Sequence, residues 1–240
     1  LVCVLLVAGV VIVVWYMRKK REFLRQRFFQ QINRVRMENL RSRISPHFTF
    51  NVLGREINQF NGSEEVKHNL MELVKYLRRS LELTEKLSVS LQDELDFVRT
   101  YIELERGRVG EDFVATITVE DGLDATRIMI PSMIVQVPVE NAIKHGLAGK
   151  DGKKELMVYV SRETNGIRIT VTDNGRGYLP QVVSATRGTG TGLKVLYQTI
   201  QLLNTKNKSD KIRFNITNRS DGQTGTEVSV YIPFRFSYDL

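Results

Sequence analysis

Cysteine is almost missing: Cys3 stands alone, which excludes an internal disulfide and any multi-cysteine zinc site and leaves stability to packing. No internal repeat is present, and no Gly-Lys-Ser/Thr phosphate loop, which sets aside a Walker-type nucleotide site. A surplus of one charge sign is also missing from most of the chain. Residues 44–240 carry 25 basic and 25 acidic side chains, while residues 18–43 carry ten Lys or Arg against two Glu. The formal charge of +8 and the pI of 9.6 are therefore a local feature, and no direct contact with nucleic acid is expected. What the chain does have is 240 residues at 42% apolar content, enough for a core in one or two compact domains.

Charge is absent altogether from the first seventeen residues, LVCVLLVAGVVIVVWYM. As a helix they would span roughly 25 Å, close to the hydrocarbon thickness of a bilayer. Trp15 and Tyr16 suit the headgroup zone, and Arg18-Lys19-Lys20-Arg21 marks the cytoplasmic side. A signal peptide would carry its basic residues before the apolar run. Residues 1–17 are thus expected to be a transmembrane helix. The basic segment would lie against anionic lipid. The chain begins with Leu, which suggests a piece of something longer with a missing extracytoplasmic part.

From Arg18 to Leu40 there is no Pro or Gly, and Leu24, Phe28, Ile32 and Val35 form a helical stripe. A coiled coil over 18–40 is expected. Phe60-Asn61-Gly62-Ser63 supplies a turn, and Val66, Leu70, Leu73, Leu77 and Leu81 mark a second stripe. Two helices joined by a short turn cannot bury both apolar faces alone, so residues 41–108 are expected to pair in a homodimer as a four-helix bundle. Ser90 to Asp93 looks like a capping box opening a helix that runs to about Arg106-Gly107. Beyond it, strands are predicted over 113–119, 156–160, 167–172, 212–217 and 227–232, with helices over 134–146 and 193–203. Residues 109–236 then form an α+β domain, a mainly antiparallel sheet with helices on one face.

Three motifs in that half converge on one kind of ligand. Glu140-Asn141-Ala142-Ile143-Lys144-His145-Gly146 puts Asn141, Lys144 and His145 on one helix face. An amide oxygen, an ammonium and an imidazole together suit a metal-bound polyphosphate. Asp173-Asn174-Gly175-Arg176-Gly177 sets a carboxylate at a strand end, before glycines that permit close backbone approach, where it could accept from an adenine amino group. Gly188-Thr189-Gly190-Thr191-Gly192-Leu193 opens an apolar helix and offers N–H groups to an anion. Singly, each also fits an ordinary solvated helix face, an Asn-Gly turn or a flexible loop.

In this order the three resemble the N, G1 and G2 boxes of the GHKL ATP-binding superfamily, whose nucleotide domain is the Bergerat fold, an α/β sandwich. Upstream, "RISPHFTFN" resembles the phosphoacceptor box of LytS-type sensor histidine kinases. "SLQDELDFVRTYIELERGR" and "IPSMIVQVPVENAIKHG" resemble the segments that lead into that family's ATPase domain and its N box. The resemblance spans about residues 38 to 234.

It implies a protein histidine kinase of two-component signalling, a membrane-bound homodimer using ATP and Mg²⁺. His47 would accept the γ-phosphoryl group and pass it to the receiver domain of a response regulator, of LytTR type by family resemblance. Asn141 would coordinate Mg²⁺, with Glu140 a candidate to assist, and Lys144 and His145 would contact phosphates or ribose. Asp173 would read the adenine amino group, Gly175 and Gly177 would shape the base pocket, and Gly188, Gly190, Gly192 and Leu193 would form the lid hinge. Asn51, one turn after His47, would support dephosphorylation of the partner.

An unperturbed imidazole is mostly neutral at cytoplasmic pH, so it is a nucleophile without a strong base. Phe48 follows His47 where other histidine kinases carry an acid. Pro46 either hinges the helix or sits at its first position with Ser45 as cap. Thr49, Val52, Gly54 and the placing of Pro138 depart from the family pattern. Val137 stands where many GHKL hydrolases keep a water-activating Glu, which fits transfer better than hydrolysis. The alternatives are a GHKL ATPase with a structural His47, and a nucleotide-binding membrane scaffold that transfers nothing.

Overall fold

The computed structural model describes residues 14–20, 69, 72–73, 75–77, 79–80, 82–83, 86–178, 191–207 and 209–238. His47, Asn51, Gly188 and Gly190 lie outside them, as do most of the expected coiled coil and first hairpin helix. Of the expected membrane span only residues 14–17 are described. They continue as helix to Lys20, whose neighbour Lys19 sets its Nζ 4.6 Å from the Trp15 ring centroid. Among the described residues no helix is long and apolar enough to cross a membrane.

Strand β1 (Ser88–Ser90) leads directly into helix α1 (Leu91–Val109). Ser90 caps it: its Oγ accepts from Asp93 N at 3.0 Å and donates to Asp93 Oδ2 at 2.7 Å. Asp93, one methylene shorter than the Glu of a full capping box, meets the Ser90 hydroxyl itself. The helix stops at Gly110, whose φ of +112° a side chain would resist and whose N–H closes on Arg106 O. Leu91, Leu95, Val98 and Ile102 recur at helical spacing and are buried. They join one core with the sheet, and Tyr76 from the preceding helical residues stacks on Phe97 in that core, with ring centroids 4.9 Å apart.

Strands β2 (Phe113–Val119), β4 (Lys154–Glu163), β5 (Gly166–Asp173), β6 (Arg213–Asn218) and β7 (Thr226–Pro233) form a five-stranded sheet in the order β2-β4-β5-β7-β6. The sheet is mixed: β2 runs parallel to β4, and the other pairs are antiparallel. Alternation sets its two faces. Leu156, Val158 and Val160 are buried, while Met157 and Tyr159 between them are exposed. Short β3 (Met129–Pro131) pairs with β1 in a separate two-stranded sheet.

The helix expected over 134–146 differs in two ways. Regular α-helix α2 spans only Gln136–Asn141, because residues 132–135 form a turn in which Met133 holds φ +70°. It then widens into a π turn, Ala142–Gly146, closed by Leu147 N to Ala142 O at 2.8 Å. Helix α3 (Thr191–Lys206) follows the glycine-rich segment and packs against α2.

Candidate functional site

Asp173 is the last residue of β5 and is only 4% exposed. Its Oδ1 accepts from Gly175 N at 2.8 Å and from Thr226 N at 3.4 Å, and the Thr226 side chain adds a further hydrogen bond. Burial nevertheless dominates and pushes the carboxyl above the usual aspartate value, against the lowering effect of those bonds. Backbone without side chains walls it in. A Cβ on Gly146 would lie 2.8 Å from the carboxylate, one on Gly175 2.0 Å from Gly146 O, and one on Gly225 1.9 Å from Asp173 O. The π turn holds the Gly146 carbonyl where Arg176 N donates to it at 3.3 Å. Three chain segments thus meet at one carboxylate.

Gly177 takes φ +84°, and a Cβ there would strike Asn218 Oδ1, which accepts from Tyr178 N at 2.6 Å. Asn218, the last residue of β6, fixes the chain just before the glycine-rich segment. Across that segment, Gly192 and Leu193 lie half-buried in the first turn of α3.

On α2, Asn141 Nδ2 donates to Val137 O at 2.8 Å. That bond orients the amide and leaves its oxygen as the atom available to a cation. Lys144 Nζ is 2.6 Å from Glu140 Oε1. Lys144 and Glu140 are therefore engaged with each other rather than turned independently toward a ligand. His145 is half-buried, and burial, helped by Lys144 and Arg176, lowers its pKa, so it is neutral at physiological pH. Among the described residues no three His, Cys, Asp or Glu side chains group closely enough to hold a metal ion. A cation at Asn141 would suit further ligands from an anionic partner or water.

Asn141, Lys144, His145, Asp173, Gly175 and Gly177 thus lie along the π turn and the end of β5, which pack together. Gly225 and Thr226, which close the carboxylate from the start of β7, and Gly146 as a wall stand outside the roles that the sequence motifs assign. Gly-Thr directly before an alternating strand was the available signal.

Family models match two stretches of the chain. Residues 35–113 match the histidine kinase family, and residues 126–235 match the histidine kinase-, DNA gyrase B- and HSP90-like ATPases. The chain is 28% identical to the sensor histidine kinase YpdA of Escherichia coli over 85% of its length and 35% of that protein. It is 32% identical to the sensor histidine kinase/phosphatase LytS of Staphylococcus aureus over 78% of its length and 33% of that protein. It therefore spans about a third of the length of these curated relatives. The histidine kinase domain of the Erythrobacter litoralis EL346 blue-light activated histidine kinase aligns with 86% of this chain and 94% of its own, at a TM-score of 0.47 and 16% identity.

Proposed function

The chain belongs to the LytS-type sensor histidine kinases, and on that premise we propose that it moves the γ-phosphoryl group of Mg-ATP onto His47 and from there to an aspartate of a receiver domain. The observation that carries this reading is the buried Asp173 carboxylate in its glycine walls. Such a buried acceptor, walled by glycine backbone, fits an adenine amino group. Its burial fits the same role, since a hydrogen bond to a charged acceptor counts for more where water is excluded.

Asn141, through its amide oxygen, would hold Mg²⁺ together with the phosphates, and Glu140 could assist only after releasing Lys144. When bound, Mg²⁺ neutralises charge across the β- and γ-phosphates. Lys144 and neutral His145 would meet the phosphates or ribose from the π turn, whose wider backbone brings Gly146 against Asp173. Gly188, Gly190, Gly192 and Leu193 would hinge the segment that closes over the nucleotide. A neutral His47 ring nitrogen would then form the N–P bond as the bond to the β,γ-bridging oxygen breaks and ADP leaves. Asn51, four positions on in the sequence, would serve the separate task of dephosphorylating the regulator.

Residues 1–17 would anchor a homodimer in the bacterial inner membrane, with the basic segment at the lipid surface and residues 41–108 pairing the protomers. The response regulator is proposed to be of LytTR type, from family resemblance. Incubating the chain with γ-labelled ATP tests the reading: acid-labile label on the protein that chases onto a receiver domain is expected. Phosphate release without label would favour an ATPase, and nucleotide binding with neither would favour a scaffold.

A further inference from the structure

We infer that Glu94, on α1, is a positioning residue for the Mg-ATP site: it serves as the N-terminal cap that α2 lacks and thereby sets where Asn141 sits. The inference rests on reading Asn141 as the group that faces the metal-bound phosphates.

Helix α2 starts without any local device. Val135 at its N-cap gives no side-chain hydrogen bond, its first turn holds no acid, and Pro138 has no N–H to offer. The amides at this end can nonetheless be followed one by one. Val137 N donates to Met133 O and Val139 N to Val135 O, both at 3.2 Å. The amides of Met133, Val135 and Gln136 go to Glu94: Oε2 accepts from Met133 at 2.9 Å, and Oε1 accepts from Val135 and Gln136 at 3.1 Å each. Glu94 is 0% exposed. A carboxylate this deep persists only where such bonds replace its water, and its charge is favourable at the positive end of a helix. One of its partners, Met133, is the single non-glycine residue with positive φ among the described residues, a conformation that holds only when the surroundings fix it.

From that anchor to Asn141 is less than two turns. Asn141 is the last residue of α2, and its amide is oriented by Val137, one turn back. A displacement where Glu94 grips the helix therefore reaches the Asn141 oxygen with no intervening joint. Supporting residues of this kind commonly matter 10–100-fold to a metal they never touch, so about tenfold is the effect to look for.

The test measures binding of a non-hydrolysable ATP analogue with and without Mg²⁺ to the full chain, to Glu94→Gln and to Glu94→Asp. Gln keeps the shape but turns one acceptor into a donor facing an N–H. The expected result is that Glu94→Gln loses about tenfold of the magnesium-dependent gain in affinity, a larger loss than any in its magnesium-free affinity, to which Asp173 contributes from β5. Glu94→Asp, which keeps the charge, restores part of the gain. A purely structural role would lower the folded fraction and leave the magnesium gain of folded molecules intact, and that result would overturn the inference. A parent chain with no magnesium gain would contradict the Asn141 assignment and remove the basis for Glu94. Where Glu94→Gln does not fold, hydrogen exchange on the parent chain decides. The amides of Met133, Val135 and Gln136 are expected to exchange slowly, and more slowly with the magnesium complex; exchange at the rate of open loops, or no response, overturns the inference.

Discussion

The α-carbon of Gly146 faces the Asp173 carboxylate so closely that a methyl group there would lie 2.8 Å from Cγ and Oδ1 alike. Two motifs separated by 27 positions in the chain are thereby one object: the π turn exists where Asp173 needs backbone without a side chain. The prediction is that Gly146→Ala weakens adenine-nucleotide binding by about tenfold or more, equivalent to about 1.4 kcal/mol, by displacing the acceptor. It should also cost about 1–3 kcal/mol of stability through overpacking. Calorimetric titration and urea unfolding measure the two separately.

Asp173→Asn should move stability and binding in opposite directions. Burial holds the Asp173 pKa above its unfolded value, so the folded state takes up its proton first. The stability that goes with the neutral form is present at low pH and is lost as pH rises through the folded pKa. At neutral pH the amide removes a buried charge, and the variant should unfold at an equal or higher urea concentration. Its nucleotide affinity should fall about 10–100-fold, since an NH₂ replaces an acceptor bonded through charge. In the parent chain, affinity should decline on acidification at a pH above the usual aspartate value of 3.8.

His145 carries a pH dependence of the other kind. Its pKa is lowered in the folded state by burial and by Lys144, so below about 6.5 the unfolded chain binds the extra proton first. Stability should fall as pH drops through the window between 6.5 and the lowered folded value. The difference in urea midpoint between the parent and His145→Gln should shrink as pH falls from 7.5 toward 5.

Ser90→Ala separates scaffold from site. Losing the cap on α1 should cost about 1 kcal/mol of stability. Nucleotide affinity should not change, because α1 remains pinned by its buried face. Urea unfolding alongside the same binding titration checks both halves.

How much of this was legible follows from how local each signal is. The strands β2, β4, β5, β6 and β7 lie close to where alternation puts them, because one buried face writes itself into every second residue. Which strand pairs with which is not written there, so the parallel pairing of β2 with β4 did not emerge from the pattern. Helix α2 starts later than the apolar pattern predicts because Met133 and Val135 are held by a carboxylate 39 and 41 positions upstream, which local propensity does not register. The π turn has no compositional mark. Asp173 is marked by the glycines beside it, whereas the Thr226 contact spans 53 positions and forms only when β7 lies beside β5.

The phosphoacceptor is the claim on which the proposed chemistry turns. Tandem mass spectrometry of the chain after incubation with Mg-ATP, under alkaline conditions that preserve phosphohistidine, locates the modified residue. The expected result is a phosphoryl group on His47, lost in His47→Gln while ATP binding persists. Phosphate on any other residue, or label that survives His47→Gln, would contradict the assignment.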